Sequence, residues 1–226
     1  MRQNSFNIVH LAVALLCVVV FVTIAVAVSE TNTRKPARRM QNSTQLRGIH
    51  QGLVTYASGN QNWFPGLNEF GEDERITVEQ RFQILMDEDY ITPEYAISPS
   101  ETEMIMAWEG GGRVHEDKAP VTKTNYSYAM LQIPAEGRRR AEWAQTLNSQ
   151  AIVLSDRNLG TKNKPLSIHI DSNGPWRGSV LWNDNHVGFE QEDVFETKYG
   201  NGELNEADRL FKAEGTHDAL MIHAGN

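Results

Sequence analysis

The pattern of apolar and polar residues divides the chain into a short apolar beginning and a longer mixed remainder. Residues 8–28 contain only two clearly polar side chains, His10 and Thr23. At about 1.5 Å of rise per residue, a helix of this length spans the roughly 30 Å hydrocarbon core of a bilayer. The pattern therefore predicts a transmembrane helix. A cleaved signal peptide is the alternative, because Ala25 and Ala27 have signal-peptidase spacing, but the run exceeds the usual length of about 7 to 15 residues.

Two amphipathic helices are predicted after the apolar run. Residues 37–57 place apolar side chains at the spacing of one helix face, and Pro36 is expected to interrupt the helix that precedes them. A further helix is predicted to begin after Thr77, because Thr77 and Gln80 have the spacing of a capping box. The apolar positions of the first helix are Leu46, Ile49, Leu53, Val54 and Ala57.

Short apolar runs separated by Gly, Pro and Asn follow, and they predict strands. The clearest hairpin joins residues 177–182 to residues 186–190 through Asn183, Asp184 and Asn185, since Asn and Asp accept the positive φ of tight turns. The expected fold class is α+β, with the long N-terminal helix packed on a mostly antiparallel sheet. The predicted strands are residues 104–108, 126–133, 151–154, 166–170 and 179–182.

Composition and charge narrow the classes of function. The formal net charge of −8 and the absence of a long basic tract argue against nucleic acid as a partner. Cys17, the only cysteine, lies inside the apolar run, which excludes a disulfide and a thiolate metal site from the rest of the chain. Four basic residues between Arg34 and Arg39 follow the apolar run, and the positive-inside rule alone would place the C-terminal part in the cytoplasm.

Two segments carry a resemblance to a known family. Residues 37–66, ARRMQNSTQLRGIHQGLVTYASGNQNWFPG, resemble the segment after the hydrophobic helix in planctomycete-type pilin-like proteins. His169 followed by SVLWNDNHVGF resembles the prepilin-type H-X9-DG domain of the same family, with Asp184 and Asn185 in place of Asp-Gly. Fourteen residues separate His169 from Asp184 here, rather than nine.

This resemblance implies a pilin-like fold and a structural function. Residues 1–7 would be a leader-like segment with cleavage between Ser5 and Phe6, and His10 stands where the family has a glutamate. The transmembrane helix would cover residues 8–28, a linker and amphipathic helix residues 29–57, and an extracytoplasmic α+β domain residues 58–226. The implied protein is a single-pass, non-enzymatic membrane subunit without a cofactor. Its partners would be the membrane and other pilin-like subunits or the machinery of a type II secretion or type IV pilus-like system.

Other candidate residues are interpreted as structural. The histidines do not form HExxH, so surface or sheet positions are favoured over a metal site. Carboxylates near the hairpin could bind calcium, but solvated turns are favoured because a DxDxDG-like loop is missing. Residues 110–112 are predicted to be a turn, residues 138–140 a solvated face or helix start, and residues 156–158 a buried ion pair or turn. The histidines are His115, His169, His186, His217 and His223, and the carboxylates are Asp171, Asp184, Glu190 and Glu192.

An alternative function is a membrane-tethered binding module for glycans or another cell-wall ligand. Tryptophans expected to be exposed motivate it, because an indole ring provides a flat surface on which a sugar can stack. A hydrolase is a third hypothesis, but the sequence has no recognisable nucleophile elbow or phosphate-binding loop. The four tryptophans are Trp63, Trp108, Trp176 and Trp182.

Overall fold

The structure, a computed structural model, describes residues 8–101, 103–110, 119–169, 174–213 and 215–225. In the first helix, side chains are described for residues 11–23 and 35–58. The chain divides into two compact units, Met1–Met40 and Gln41–Asn226. Helix α1, Ile8–Ser58, contributes residues to both units.

The first unit consists of the N-terminal part of α1. Every described side chain from residue 11 to residue 23 is exposed, and nine of these side chains are large and apolar, from Leu11 to Val22. Among the described residues, no helical segment meets the length and hydropathy that a membrane crossing requires. The helix continues through Pro36, so the interruption expected there is wrong. A proline inside a helix removes one backbone hydrogen bond, and the turns on both sides remain helical here.

The C-terminal part of α1 belongs to the second unit and forms one wall of its core. Leu46, Ile49, Leu53 and Ala57 have no exposed surface, as the amphipathic pattern predicted. They belong to one apolar cluster with residues of the sheet, including Tyr128, Met130 and Leu154 in two of its three inner strands. Fully burying one such aliphatic side chain contributes about 1.5 to 3 kcal/mol. This face therefore makes the helix part of the domain core.

Two short helices cover further parts of the core. Helix α2, Val78–Asp87, begins with the predicted capping box, in which Thr77 N donates to Gln80 Oε1 (2.8 Å) and Gln80 N donates to Thr77 Oγ1 (3.4 Å). Its Phe82 stacks on Tyr126, with ring centroids 4.4 Å apart. A 3-10 turn, Pro93–Ala96, and the one-turn helix α3, Arg138–Ala141, follow. The predicted helix start at residues 138–140 is confirmed.

The main sheet has five antiparallel strands in the spatial order β4-β3-β2-β1-β7. The predicted hairpin is confirmed, because β3 and β4 pair from Gly178 opposite Glu190 to Leu181 opposite Val187. Asn185 has a φ of 69°, which is the positive φ expected of an Asn in this turn. An α+β fold with a mostly antiparallel sheet is therefore correct. The strands are β1, Tyr128–Leu131; β2, Ile152–Asp156; β3, Gly178–Trp182; β4, Val187–Glu190; and β7, Met221–Ile222.

A separate two-stranded sheet pairs β5, Val194–Thr197, with β6, Asn205–Arg209. The sequence did not predict either strand. Two predicted strands are wrong, since residues 104–108 and 166–169 form loops in the structure. Met104 and Met106 are 85% and 64% exposed, so these two side chains do not face the core, whereas Trp108 at the end of the run is buried. In the second loop, Asn158 Oδ1 accepts the backbone N–H of Leu166 (2.8 Å), which occupies a group that strand pairing would need.

Candidate functional site

A buried polar network joins α1 to the centre of the sheet. Asn42, near the start of the second unit, donates through Nδ2 to Asp156 Oδ1 and to Ser179 Oγ, both at 2.8 Å. Its Oδ1 accepts the Tyr128 hydroxyl at 2.7 Å. All four residues are at most 1% exposed. A buried polar group costs free energy unless it is hydrogen-bonded, and here each side chain satisfies the next. We call these four residues and His169 the Asn42 network.

Asp156, the last residue of β2, is the negative charge at the centre of the Asn42 network. Its Oδ2 accepts the backbone N–H of Ser179 at 2.6 Å and lies 3.0 Å from His169 Nε2. The neighbouring Gly178 leaves room for this carboxylate, because a Cβ at that position would approach Asp156 Oδ2 at 3.0 Å and the Trp176 ring at 2.7 Å. A buried carboxylate without such donors would be strongly destabilising. The local sequence thus provides both the donors and the space.

The same surroundings keep the Tyr128 hydroxyl protonated. Burial raises the pKa of Tyr128 well above its ordinary value, and the nearby Asp156 carboxylate raises it further. Tyr128 is therefore a fixed hydrogen-bond donor at physiological pH. His169 is partly buried, and its ring meets Phe189 edge-on with centroids 5.0 Å apart. This arrangement holds side chains in place rather than presenting a reactive group.

A second buried network surrounds the hairpin turn and also reaches α1. Asn183 Nδ2 donates within 2.9 Å to the backbone oxygens of Glu142 and Ala144, and to Thr146 Oγ1. Its Oδ1 lies 3.4 Å from Nε2 of His50, a residue of α1 that is only 2% exposed. We call these residues the Asn183 network. Two turns of α1 therefore lie between its two polar attachments to the sheet region, at residues 42 and 50.

Glu142 is the acidic member of the Asn183 network and is 3% exposed. Its Oε1 accepts hydrogen bonds from Asn148 Nδ2 (2.9 Å) and Gly200 N (2.8 Å), and its Oε2 accepts the Thr146 hydroxyl (2.5 Å). Three donors around one carboxylate explain how it is tolerated in the interior. The contacts also hold the hairpin turn and the loop before β6 against α3.

Burial lowers the pKa of His50, although the side chains of Asn183 and Asn185 and the charge of Asp184 oppose this effect. The imidazole of His50 is therefore neutral near pH 7. Its neutral ring meets Phe64 edge-on, with centroids 5.9 Å apart. Burial likewise lowers the pKa of His223, although a hydrogen bond to the backbone oxygen of Tyr126 opposes this effect.

The two residues of the family motif have different partners in the structure. His169 contacts Asp156, whereas Asp184 contacts His186 in the exposed turn. Burial alone would raise the pKa of Asp184, but hydrogen bonds from the backbone N–H and the ring of His186 hold this pKa below its ordinary value. The ring of His186 also stacks on Trp182, with centroids 4.2 Å apart. The predicted role of Asn185 as a turn residue is confirmed by its positive φ.

Several predicted positions fall outside the described part of the chain. Ser5, Phe6, His115 and Asp171 are not among the described residues, and for His10 only the helical backbone is described. Glu190 is half-buried and Glu192 is exposed. Within the described ranges, no group of three or more His, Cys, Asp or Glu side chains is arranged to hold a metal ion.

The tryptophans are less exposed than expected. Trp108 and Trp176 are 4% and 0% exposed, so the expectation that they form an accessible surface is wrong. Trp108 Nε1 donates to the backbone oxygen of Ala119 (2.7 Å), and Trp176 packs edge-on against Phe211. Trp63 and Trp182 are half-buried. Aromatic packing in the core, rather than ligand stacking, accounts for most of these rings.

The two charged segments noted in the sequence have structural roles. Of the two roles expected for residues 156–158, a buried ion pair or a turn, the ion pair is present, because the guanidinium of Arg157 pairs with the buried side chain of Glu101 (3.0 Å) and with the exposed Glu103 (2.8 Å). Burial alone would raise the pKa of Glu101, but the hydrogen bond from Arg157 keeps this pKa below its ordinary value. In residues 138–140, Arg138 is exposed, but Arg139 is 2% exposed and donates to Gly215 O (2.5 Å). A solvated face is therefore wrong for Arg139.

The second unit also has a shallow cleft of about 560 Å³ beside α3. Its wall combines cationic, anionic and apolar side chains, and the carboxylate of Asp218 is held by the backbone N–H of Gly215 (3.1 Å). This mixture does not select one charge of ligand. The lining residues are Arg138, Glu203, Leu204, Asn205, Gly215, His217 and Asp218.

Sequence reasoning missed the central residues of both networks. Asn42 lies one helical turn before Leu46, so it occupies the apolar stripe of α1, and His50 adjoins Ile49 in the same stripe. A polar residue inside a stripe that faces the core is a signal of a buried hydrogen bond. Glu142 offers no comparable signal, because its donors come from separate loops.

The chain was compared with protein-family models, curated proteins and solved structures, and nothing matches in any of the three comparisons.

Proposed function

We propose that the chain is a non-enzymatic, pilin-like structural subunit anchored in the cell membrane. In this proposal, residues 8–28 cross the membrane once, and the C-terminal domain is extracytoplasmic. The protein assembles with other pilin-like subunits or with the machinery of a type II secretion or type IV pilus-like system. The resemblance of residues 37–66 and of the hairpin region to pilin-like proteins motivates the proposal.

One observation supports the proposal most directly, namely the division of α1 into two kinds of surface. Nine large apolar side chains between Leu11 and Val22 are exposed, whereas Leu46 to Ala57 supply one wall of a packed core. Transferring the nine exposed side chains from water to apolar surroundings is favourable by on the order of 10 kcal/mol. Lipid chains, or the corresponding helices of other subunits, would provide such surroundings. A long helix that serves both purposes suits an anchored structural subunit.

The two buried networks favour a structural role over a catalytic one. Their hydrogen-bonding groups are directed at one another, and the acidic residues Asp156 and Glu142 have several donors each. The networks attach α1 to the sheet region at two points. The binding-module alternative has less support, because Trp108 and Trp176 are buried.

Membrane fractionation tests the anchor. We expect the full chain to remain with membranes after alkaline carbonate extraction, and a variant lacking residues 1–28 to give a soluble, folded monomer. A matched full-length variant, Val18→Arg with Val19→Arg, should lose membrane retention because charged side chains in the middle of the span are costly. A full chain that carbonate releases, or a shortened chain that cannot fold, would contradict the proposal.

N-terminal sequencing of the membrane-bound protein tests the processing. A start at Phe6 would support prepilin-type cleavage after Ser5, and a start at Met1 would support an uncleaved anchor. A start at Val28 would identify a removed signal peptide and would contradict the anchor.

A further inference from the structure

The part of α1 that follows the apolar run carries a cluster of basic residues on one helix face. Lys35, Arg38 and Arg39 are exposed, and their spacing of three and four residues places them side by side. Three like charges on one face give it a positive local potential, which attracts an anionic surface. We call these three residues the basic collar.

The charge of the chain is distributed very unevenly around this collar. Residues 1–40 contain five basic residues and one acidic residue, whereas residues 41–226 contain sixteen basic and twenty-eight acidic residues. A net charge of +4 therefore precedes a net charge of −12. Attraction to an anionic surface is consequently concentrated in the N-terminal part, while the remainder is repelled by such a surface.

The collar lies just outside the lipid headgroup region, within the distance that long basic side chains and the field of an anionic surface bridge. If residues 8–28 span the hydrocarbon core, Lys35 lies about 10 Å and Arg39 about 16 Å beyond its edge, at 1.5 Å of rise per residue. The headgroup region adds roughly 5 to 8 Å on each side of the core. Helical side chains tilt toward the N-terminus, which here is toward the membrane, and long basic side chains extend to the interface in this way.

We infer that the basic collar binds anionic lipid headgroups and thereby fixes the depth at which α1 sits in the membrane. This inference rests on the proposed function, because it requires the apolar run to be in the bilayer. Each basic residue near an anionic surface favours the surface-bound position by a factor of about five. Neutralising all three residues is therefore expected to weaken that preference by about a hundredfold.

The test uses the full chain in vesicles, with a fluorescent label at position 37 between the collar residues. The labelled protein carries Cys17→Ser and Ala37→Cys, and its vesicles contain either zwitterionic lipid alone or added phosphatidylglycerol. We expect the anionic vesicles to shift the label emission to the blue and to protect it several-fold from an aqueous quencher. About 0.5 M salt should abolish the difference, because the Debye length then falls below 5 Å.

Two charge-neutralised proteins identify the source of the effect. Lys35→Gln, Arg38→Gln and Arg39→Gln together should remove the response to phosphatidylglycerol. Arg47→Gln, Arg75→Gln and Lys164→Gln together remove the same charge from other exposed positions, and that protein should keep the response. Inorganic phosphate at matched ionic strength should not change the response of the label to phosphatidylglycerol, because the collar binds an anionic membrane surface rather than a free phosphate ion.

The possible outcomes separate the inference from the proposed function. A collar variant that stays in carbonate-washed vesicles and still responds to phosphatidylglycerol overturns the inference alone. A response that depends on the protein-to-lipid ratio, and not on lipid charge, also overturns it and would identify a contact between copies. A full chain that carbonate releases from both kinds of vesicle overturns the proposed function, and the inference with it.

Discussion

Replacing Asn42 with alanine tests whether the Asn42 network stabilises the domain. The substitution removes hydrogen bonds to Asp156, Ser179 and Tyr128, all within 2.8 Å in the native structure. A hydrogen bond to a charged group contributes about 1.5 to 3 kcal/mol, and a neutral one about 0.5 to 1.5 kcal/mol. Alanine regains about 0.6 kcal/mol through its higher helix propensity. We expect the free energy of unfolding to fall by about 3 kcal/mol.

Urea denaturation of the chain in mild detergent provides the measurement. Trp143 and Trp176 are fully buried, so their fluorescence emission should move to the red when the domain unfolds. The control is Gln41→Ala, an exposed neighbour on the same helix, which should change stability by less than about 0.5 kcal/mol. If Asn42→Ala costs less than about 1 kcal/mol, the buried contacts do not stabilise the domain and the reasoning is refuted.

Three further predictions address pH, backbone packing and the buried ion pair. Burial lowers the folded-state pKa of His50 and His223, so the stability that they contribute is fully present above pH 6.5 and is lost as the pH falls below 6.5. The variant His50→Gln should therefore show a midpoint of thermal unfolding that depends less on pH between 7 and 5. Gly52→Ala should lower the free energy of unfolding in urea by about 1 to 2 kcal/mol, because the new Cβ would lie 2.7 Å from Ile91 and 3.1 Å from a backbone oxygen. Gly59→Ala is the control, because its Cβ would meet only ordinary contacts, and an equal loss of stability in the two variants would contradict the prediction. Arg157→Met should cost about 3 kcal/mol at pH 7 by leaving the Glu101 carboxylate unpaired. The hydrogen bond from Arg157 holds the pKa of Glu101 below its ordinary value, so the cost should shrink in acid as Glu101 takes up a proton; a cost that does not vary with pH would count against the ion pair.

Periodicity predicted the parts of this fold in which burial follows the sequence spacing. The apolar stripe of α1 from Leu46 to Ala57, the capping box of α2 and the hairpin around Asn185 are all confirmed, because each depends on residues close together in the chain. The strands over residues 104–108 and 166–169 are not present, because their apolar residues are held in loops. Local hydrophobicity indicated strands there, but in the second segment the side chain of Asn158 occupies the backbone N–H of Leu166 that strand pairing would need.

Charge-rich strands and distant polar pairs were beyond sequence reasoning. The segments of β5 and β6 lack the alternating pattern of a half-buried strand, so they gave no signal. His169 was paired in the sequence with Asp184, but its partner is Asp156, thirteen residues earlier, where β2 ends. That contact depends on the path of the loop between β2 and β3, which carries His169 and has no periodic pattern from which its path could be predicted.

The two polar attachments of α1 have a consequence for how the helix is held. An apolar stripe repeats along a helix, so it specifies a buried face more strongly than it specifies an axial position. Asn42 and His50 lie eight residues apart, which is about 12 Å along the axis, and each contacts a different end of the hairpin region through Asp156 or Asn183. Sliding the helix by one turn would leave both sets of buried groups without partners, at a cost of several kcal/mol. The networks therefore fix the position of the C-terminal part of α1 along its axis.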